Sequence, residues 1–270
     1  MNFIKYIILG IIQGFTEPLP ISSSGHLVLF KNLFNTNMLA DVNFEIIVNF
    51  GSFLAILIIF WKDIVKLIQA FFGYLFVKEK RKQYYKDFKY CLLIIIGSIP
   101  VGLAGVLFKD QIDVFSDNMM VLGTAFLITS FLLFIVRNSK GNKNDYDITY
   151  KDAIIIGCMQ MIALMPGISR SGATLVGCLL CGLSRSSSLK YTFMLYFPVS
   201  VASMGLGVLD LVEEGGISNL LLPYTLGLIA AGIVTYFTYS WMSELVKKGK
   251  LWKFSIYCLI LGIFVLFYFR

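Results

Sequence analysis

The chain has 270 residues, of which 57% are hydrophobic and only 14% charged. That is the balance of a protein embedded in lipid, and it excludes a disordered or ordinary water-soluble chain. A net charge of +7 would suit a nucleic-acid binder, but the basic residues sit between apolar runs, so membrane topology explains the charge and no nucleic acid is expected as partner.

In chain order, residues 2–16 are apolar, Pro18 and Pro20 stop the helix, and a second apolar run begins after Gly25. About 14 helical residues reach only roughly 21 Å, so 2–36 reads as a re-entrant hairpin, with prolines, glycines and serines tolerated where backbone lines an enclosed cavity. The start is not expected to be a cleaved signal peptide: its apolar run meets Gln13, Glu17 and two prolines in place of a small-residue cleavage site. Spans follow at 44–61, 90–108 and 119–136, long enough for about 30 Å of hydrocarbon. From Lys62 to Lys89 there are eight Lys or Arg, read as a loop between helices. Arg137, Lys140, Lys143 and Lys151 form a second basic group. A second hairpin over 153–185 breaks at Pro166 and Gly167, and spans at 190–209, 220–241 and 252–269 complete the chain. Lys247, Lys248, Lys250 and Lys253 cluster at the junction of the last two. The positive-inside rule puts all three basic groups in the cytoplasm, and Asp110, Asp113, Asp117, Glu213 and Glu214 outside.

The expected fold is thus an all-α integral membrane protein, with six transmembrane helices plus two re-entrant helical hairpins in an inverted-topology repeat. Residues 1–138 form the first repeat and 139–270 the second, their hairpins entering from opposite faces. A ligand site is expected where such broken helices meet. The sequence carries the repeat independently: Gly10, Gln13, Ile21, Ser22, Ser24 and Gly25 recur as Gly157, Gln160, Ile168, Ser169, Ser171 and Gly172, each 147 positions on. Within that frame Glu17 faces Leu164, Ser23 faces Arg170 and His26 faces Ala173. One copy supplies carboxylate, hydroxyl and imidazole, the other a guanidinium, which suggests one composite site.

Ser22 to Ser24 after Pro20, and Ser169 to Ser171 after Pro166, mark helix starts with serine caps. Free backbone N–H groups and the positive end of the helix dipole there suit an anion. Arg170 adds a bidentate phosphate ligand, so two helix starts and one arginine argue for phosphate. His26, the only histidine, can serve as general base or phosphate-contacting acid. Glu17, a carboxylate at bilayer depth, needs a reason to be there: a divalent cation, Mg²⁺ or Ca²⁺, or a partner in His26 or Arg170. Ser23 beside His26 has the ingredients of an activated nucleophile. Asn49 and Gln160 are further candidates for the same cavity, and Arg185 with Ser186 to Ser188 for an interface. The five cysteines, including Cys178 and Cys181, lie in apolar context and receive no role.

At these residues the chain resembles the BacA-type undecaprenyl-diphosphate phosphatase family over essentially its whole length. The family's acidic motif maps onto Gln13, Gly14, Phe15, Thr16 and Glu17, its serine-histidine run onto Ser22 to His26, and its arginine motif onto Ser169, Arg170, Ser171 and Thr174. Gln13 stands where some members carry glutamate, which leaves Glu17 as the sole acid of the motif. The resemblance implies hydrolysis of undecaprenyl diphosphate to the monophosphate at the outer face of the bacterial plasma membrane, recycling the lipid carrier for cell-wall synthesis, with incidental bacitracin resistance. It implies Ser23, His26, Glu17 and Arg170 as catalytic residues. Gln13, Ser22, Ser24, Ser169, Ser171 and Thr174 would bind substrate, and Glu17 a divalent cation. The nucleophile stays open among Ser23, His26 and water. The partners are a polyprenyl diphosphate lipid and the membrane, with room for a homodimer. A transporter or lipid-carrier flippase built on the same inverted repeat is the rival reading. The type 2 phosphatidic acid phosphatases share the Ser-Gly-His and Ser-Arg echoes but need a second histidine, and are set aside.

Overall fold

The computed structural model describes residues 3–34, 42–115, 118–213 and 221–270. Residues 2, 35 and 36 of the expected first hairpin and the acidic Asp117 and Glu214 lie outside them. The elements are α1 (Phe3–Thr16), α2 (Ser23–Leu33), α3 (Val42–Ile59), α4 (Trp61–Phe76), a 3₁₀ turn (Lys78–Lys80), α5 (Arg81–Leu107), α6 (Lys109–Val114), α7 (Met119–Ile135), α8 (Tyr150–Ile162), α9 (Arg170–Leu180), α10 (Arg185–Glu213), α11 (Leu221–Lys247) and α12 (Leu251–Tyr268). The one β pairing among the described residues is an isolated parallel bridge, Lys143 with Leu183. The all-α class follows the sequence.

Three helices among the described residues are long and apolar enough to cross a membrane: Lys78–Leu107, Leu221–Lys247 and Leu251–Tyr268. A fourth crossing results if Phe44–Ile59 and Trp61–Phe76, bent by 75°, count as one. The apolar helices α1 and α7 are shorter.

The structure departs from the sequence reading between Lys62 and Lys89. This basic stretch is not a loop: it is α4, the 3₁₀ turn and the first turns of α5. The reason is a stripe of apolar residues threaded between the lysines. Ile64 and Leu67 pack on the core, Ala70 is buried, Tyr74 stacks on Phe88 of α5, and Phe71 lies tilted against the same ring. A second stripe, Trp61, Ile68, Phe72 and Phe76, is exposed, the pattern of a helix lying along a lipid interface. Lys66 bonds Asp87 at 2.9 Å, and the hydrogen bond to that carboxylate raises the lysine to about 12.

The two halves are interlocked. The first-half helix α1 packs on second-half α11, while second-half α8 packs on first-half α5, and α7 pairs with α12. Close approach is set by small residues, as expected where lipid offers no hydrophobic drive between helices. A methyl group added to Gly10 would collide with the Gly227 carbonyl, and one on Gly157 with that of Gly97. Buried hydroxyls bind the seams: Thr235 of α11 donates to the Gly14 carbonyl at 3.2 Å and meets the Ser52 hydroxyl at 2.9 Å. Across α7 and α12, Ser130 donates to the Ser255 carbonyl at 2.7 Å and Ser255 to the Ser130 carbonyl at 2.8 Å.

The start of α8 is fixed by a capping box between Thr149 and Asp152, with Lys143 bound to Asp152 at 2.9 Å. Burial pushes the Asp152 carboxyl up, but the Thr149 N–H, the Lys143 ammonium and the Thr149 hydroxyl outweigh it and hold it below its ordinary value. These contacts anchor one end of the helix whose other end reaches the site.

Candidate active site

Both helix pairs break where the sequence places proline. After α1 the chain turns through Glu17 to Ser22 and re-enters a helix at Ser23; after α8 it turns through Ala163 to Ser169 and re-enters at Arg170. The caps are equivalent. Ser22 accepts the Gly25 N–H at 3.2 Å, and Ser169, its counterpart 147 positions on, accepts the Gly172 N–H at 3.1 Å. Ser22 does so with φ +71°, alone among the described non-glycine residues in having positive φ. Such backbone costs on the order of 1–3 kcal/mol and persists only when its surroundings hold it. Here the holder is His26, whose Nδ1 donates to the Ser22 carbonyl at 2.6 Å.

The two tips touch. Ser171 donates to the Leu19 carbonyl at 3.1 Å, and Arg170 donates to Glu17 Oε1 at 3.2 Å. The Ser23 hydroxyl donates to the other oxygen, Glu17 Oε2, at 2.5 Å, and Gln13 donates to that same oxygen at 2.9 Å and to Asn49 at 2.5 Å. The Glu17 side chain is 5% exposed and that of Arg170 31%. The guanidinium also lies 4.9 Å above the Tyr196 ring, a cation–π contact that fixes its plane. One ionic bond engages one N–H of five, so the rest of the fork is available to a ligand.

These groups surround a cavity of about 250 Å³. Glu17, Ser22, Ser23, Ser24, Ser169, Arg170, Ser171 and Thr174 all line it, together with Asn49 and Gln160. A smaller extension runs from Arg170 and Tyr196 between α3 and α10, past Ile46, Ser200 and Met204. Thr174 hydrogen-bonds the Arg170 carbonyl at 2.8 Å. Gln13 is fully buried behind Glu17 and is not on the wall.

His26 is placed elsewhere. It is buried, absent from the cavity wall, edge-on to Phe126 and stacked at 5.7 Å on Tyr257 of α12. A carbonyl oxygen can only accept, so the contact with Ser22 puts a proton on Nδ1; Nε2 meets the Tyr257 hydroxyl at 2.8 Å. Neither nitrogen faces Ser23. The hydroxyl and the imidazole share the first turn of α2 but bond different groups, and the carboxylate takes the place next to Ser23.

Tyr196, Thr192 and Ser203 of α10 line the cavity and were not found in the sequence. The repeat held a signal for one of them: Tyr196 stands 147 positions after Asn49.

Among known families, the model for "Bacitracin resistance protein BacA" matches residues 6–264. A Bacillus licheniformis protein named undecaprenyl-diphosphatase 1 is 43% identical over 266 residues, 98% of this chain and 97% of that protein. An Oceanobacillus iheyensis undecaprenyl-diphosphatase is 41% identical over 269 residues, 99% of this chain and 97% of its own length. A Bacillus thuringiensis undecaprenyl-diphosphatase 2 is 42% identical over 265 residues, 98% and 97% respectively.

Proposed function

The chain belongs to the bacitracin resistance protein BacA family, and from that premise we propose that it is a membrane phosphatase hydrolysing undecaprenyl diphosphate to undecaprenyl phosphate and inorganic phosphate. The observation that carries this reading is the contact of Ser23, Glu17 and Arg170 in one cavity: a hydroxyl held by a buried carboxylate, beside a guanidinium with free donors.

In the mechanism this arrangement supports, the terminal phosphate sits against Arg170 and the N-terminal N–H groups of α2 and α9, which stabilise charge on its equatorial oxygens. Glu17 takes the Ser23 proton as the Oγ–P bond forms. The bridging P–O bond breaks, and its electron pair leaves with the lipid monophosphate. Water then hydrolyses the phosphoserine. His26 acts through the backbone: it holds Ser22 in its strained turn, and so positions Ser23 at the first turn of α2.

The Mg²⁺ or Ca²⁺ suggested by Glu17 fits this donor set as an ion shared with the diphosphate. Glu17 and the Asn49 amide oxygen, both on the cavity wall, are hard oxygens, and phosphate oxygens would complete the shell. Bound there, the ion would neutralise phosphate charge. Among the described residues no cluster of three His, Cys, Asp or Glu offers an all-protein site.

For topology we propose six crossings and two re-entrant hairpins, α1–α2 and α8–α9, in inverted halves. α1 has 14 residues and α8 has 13, short of the roughly 20 a crossing needs. Charge bias puts the α4 region inside. It therefore puts the start of α3 and the end of α10, which line the cavity's extension, toward the outer face of the plasma membrane, where the site would open to lipid carriers awaiting reuse in cell-wall synthesis.

The test is phosphate release from undecaprenyl diphosphate by the purified protein in detergent, where no second compartment exists. Turnover is expected in wild type and not in Ser23→Ala. A protein active only across a sealed bilayer would be a carrier instead.

A further inference from the structure

Gln160 is a group on the cavity wall whose buried acceptor the fold leaves unused. It is 1% exposed and lines the cavity, yet its Oε1 has no hydrogen-bond partner. Its counterpart in the first repeat, Gln13, gives its N–H to Glu17 and Asn49. Shifted by 147 positions those partners become Leu164 and Tyr196, neither of which offers the amide at 160 a carboxylate or carbonyl oxygen. A buried amide acceptor left unsatisfied forfeits the hydrogen bond it would make to water, so this group fits a cavity that is filled when it works.

An amide oxygen is satisfied by a proton donor or a cation, and the candidate cation ligands, Glu17 and Asn49, lie in the first repeat. Phosphate oxygens of a diphosphate accept hydrogen bonds and leave an amide oxygen unsatisfied; water donates. We propose that Gln160 orients the hydrolytic water: its Oε1 accepts one water O–H, and its N–H₂ donates to a phosphoryl oxygen, aligning the water lone pair with phosphorus. An amide is the neutral side chain that carries acceptor and donor close enough for both, and a glutamine plays this part in nucleotide hydrolases. The inference rests on the phosphatase reading. In the step it serves, the water oxygen bonds to phosphorus as the bond from phosphorus to Ser23 Oγ breaks, its electron pair staying on Oγ. Glu17 returns to Oγ the proton it took, accepts one from the water and passes that one to the departing phosphate, which leaves as dihydrogen phosphate and restores the starting carboxylate.

The readout is partitioning between water and a competing alcohol. Full-length protein in detergent is given undecaprenyl diphosphate with a low fixed fraction of methanol, and methyl phosphate and inorganic phosphate are quantified. Gln160→Met keeps the shape and removes the hydrogen bonds. Its ratio of methyl phosphate to phosphate is expected to rise about tenfold over wild type, the effect of losing one oriented hydrogen bond. Gln160→Asn, which withdraws the carbonyl by one methylene, is expected to fall between. The ratio does not depend on how much enzyme is folded, so it separates orientation from stability. A wild-type ratio in whichever of the two variants turns over overturns the proposal, as does a raised KM with unchanged kcat. Absence of phosphate release from wild type would instead sink the phosphatase reading.

Discussion

Glu17→Gln isolates the charge at the centre of the site. The carboxylate receives Ser23 at 2.5 Å, Gln13 at 2.9 Å and Arg170 at 3.2 Å, and glutamine keeps the shape with one acceptor and no charge. Without the base, Ser23 must lose its proton unaided, and general-base catalysis is worth about 10²–10⁴ in rate. At 1.36 kcal/mol per decade this is roughly 2.7–5.4 kcal/mol in the barrier. The stability cost should be much smaller: Arg170, with its side chain 31% exposed, can turn to water. The main penalty is a new amide N–H facing the Gln13 N–H, about 1–3 kcal/mol. The assay is phosphate release in detergent at saturating substrate, with thermal unfolding alongside. The expected result is a kcat lowered at least about a hundredfold in a protein that still unfolds cooperatively. Activity within about threefold of wild type, under one kcal/mol of barrier, would refute the assignment of Glu17 as the base.

Arg170→Ala should hurt both properties, because it leaves a buried carboxylate without its counter-charge. Stripping a fully buried pair costs about 3–5 kcal/mol, reduced here by the donors from Gln13 and Ser23, and kcat should fall roughly 10²–10³ with the lost phosphate donors. A lower melting temperature for Arg170→Ala than for Glu17→Gln is the expected order; the reverse would deny that Glu17 is the more dependent partner. His26→Gln is expected to lower thermal stability and kcat together while leaving the shape of the pH–rate profile unchanged, since the imidazole meets Ser22 and Tyr257 and not the cavity. Loss of a limb of that profile would restore His26 as an acid or base. Asp152→Asn should cost about 1 kcal/mol near pH 7 through the weakened cap and the Lys143 pair. The native carboxyl lies below its ordinary value, so its contribution is full above the unfolded value near 4 and is lost as pH falls through the folded one. The stability gap between wild type and Asp152→Asn should therefore close in acid, and an equal gap at pH 7 and pH 3 would contradict it.

Residue type and repeat offset made Glu17, Ser23 and Arg170 legible from sequence. An intramembrane carboxylate and an arginine at matched hairpin tips have few reasons to exist apart, and the structure joins them at 3.2 Å. His26 was legible as unusual but not as to its partners. Its second bond is to Tyr257, 231 residues away, and only tertiary packing decides which way an imidazole points. The α4 helix was hidden for a different reason: lysines crowd the same turns as Ile64, Leu67 and Ala70, so charge density masked a 3.6-residue period. Tyr196 and Thr192 lay within a long apolar run, where a hydroxyl on the cavity side looks the same as one facing a neighbouring helix. Gln160 was visible as polar in an apolar segment; that its oxygen lacks a partner is a fact of packing alone.

The most direct measurement is an experimental structure of the full-length protein in lipid with vanadate bound as a pentacoordinate phosphate mimic. The expected vanadium position is in line with Ser23 Oγ, with its equatorial oxygens on the Arg170 guanidinium and Glu17 still reaching the serine. Vanadate bound against His26, or held by one tip while the other stays apart, would contradict a site assembled from both halves of the chain.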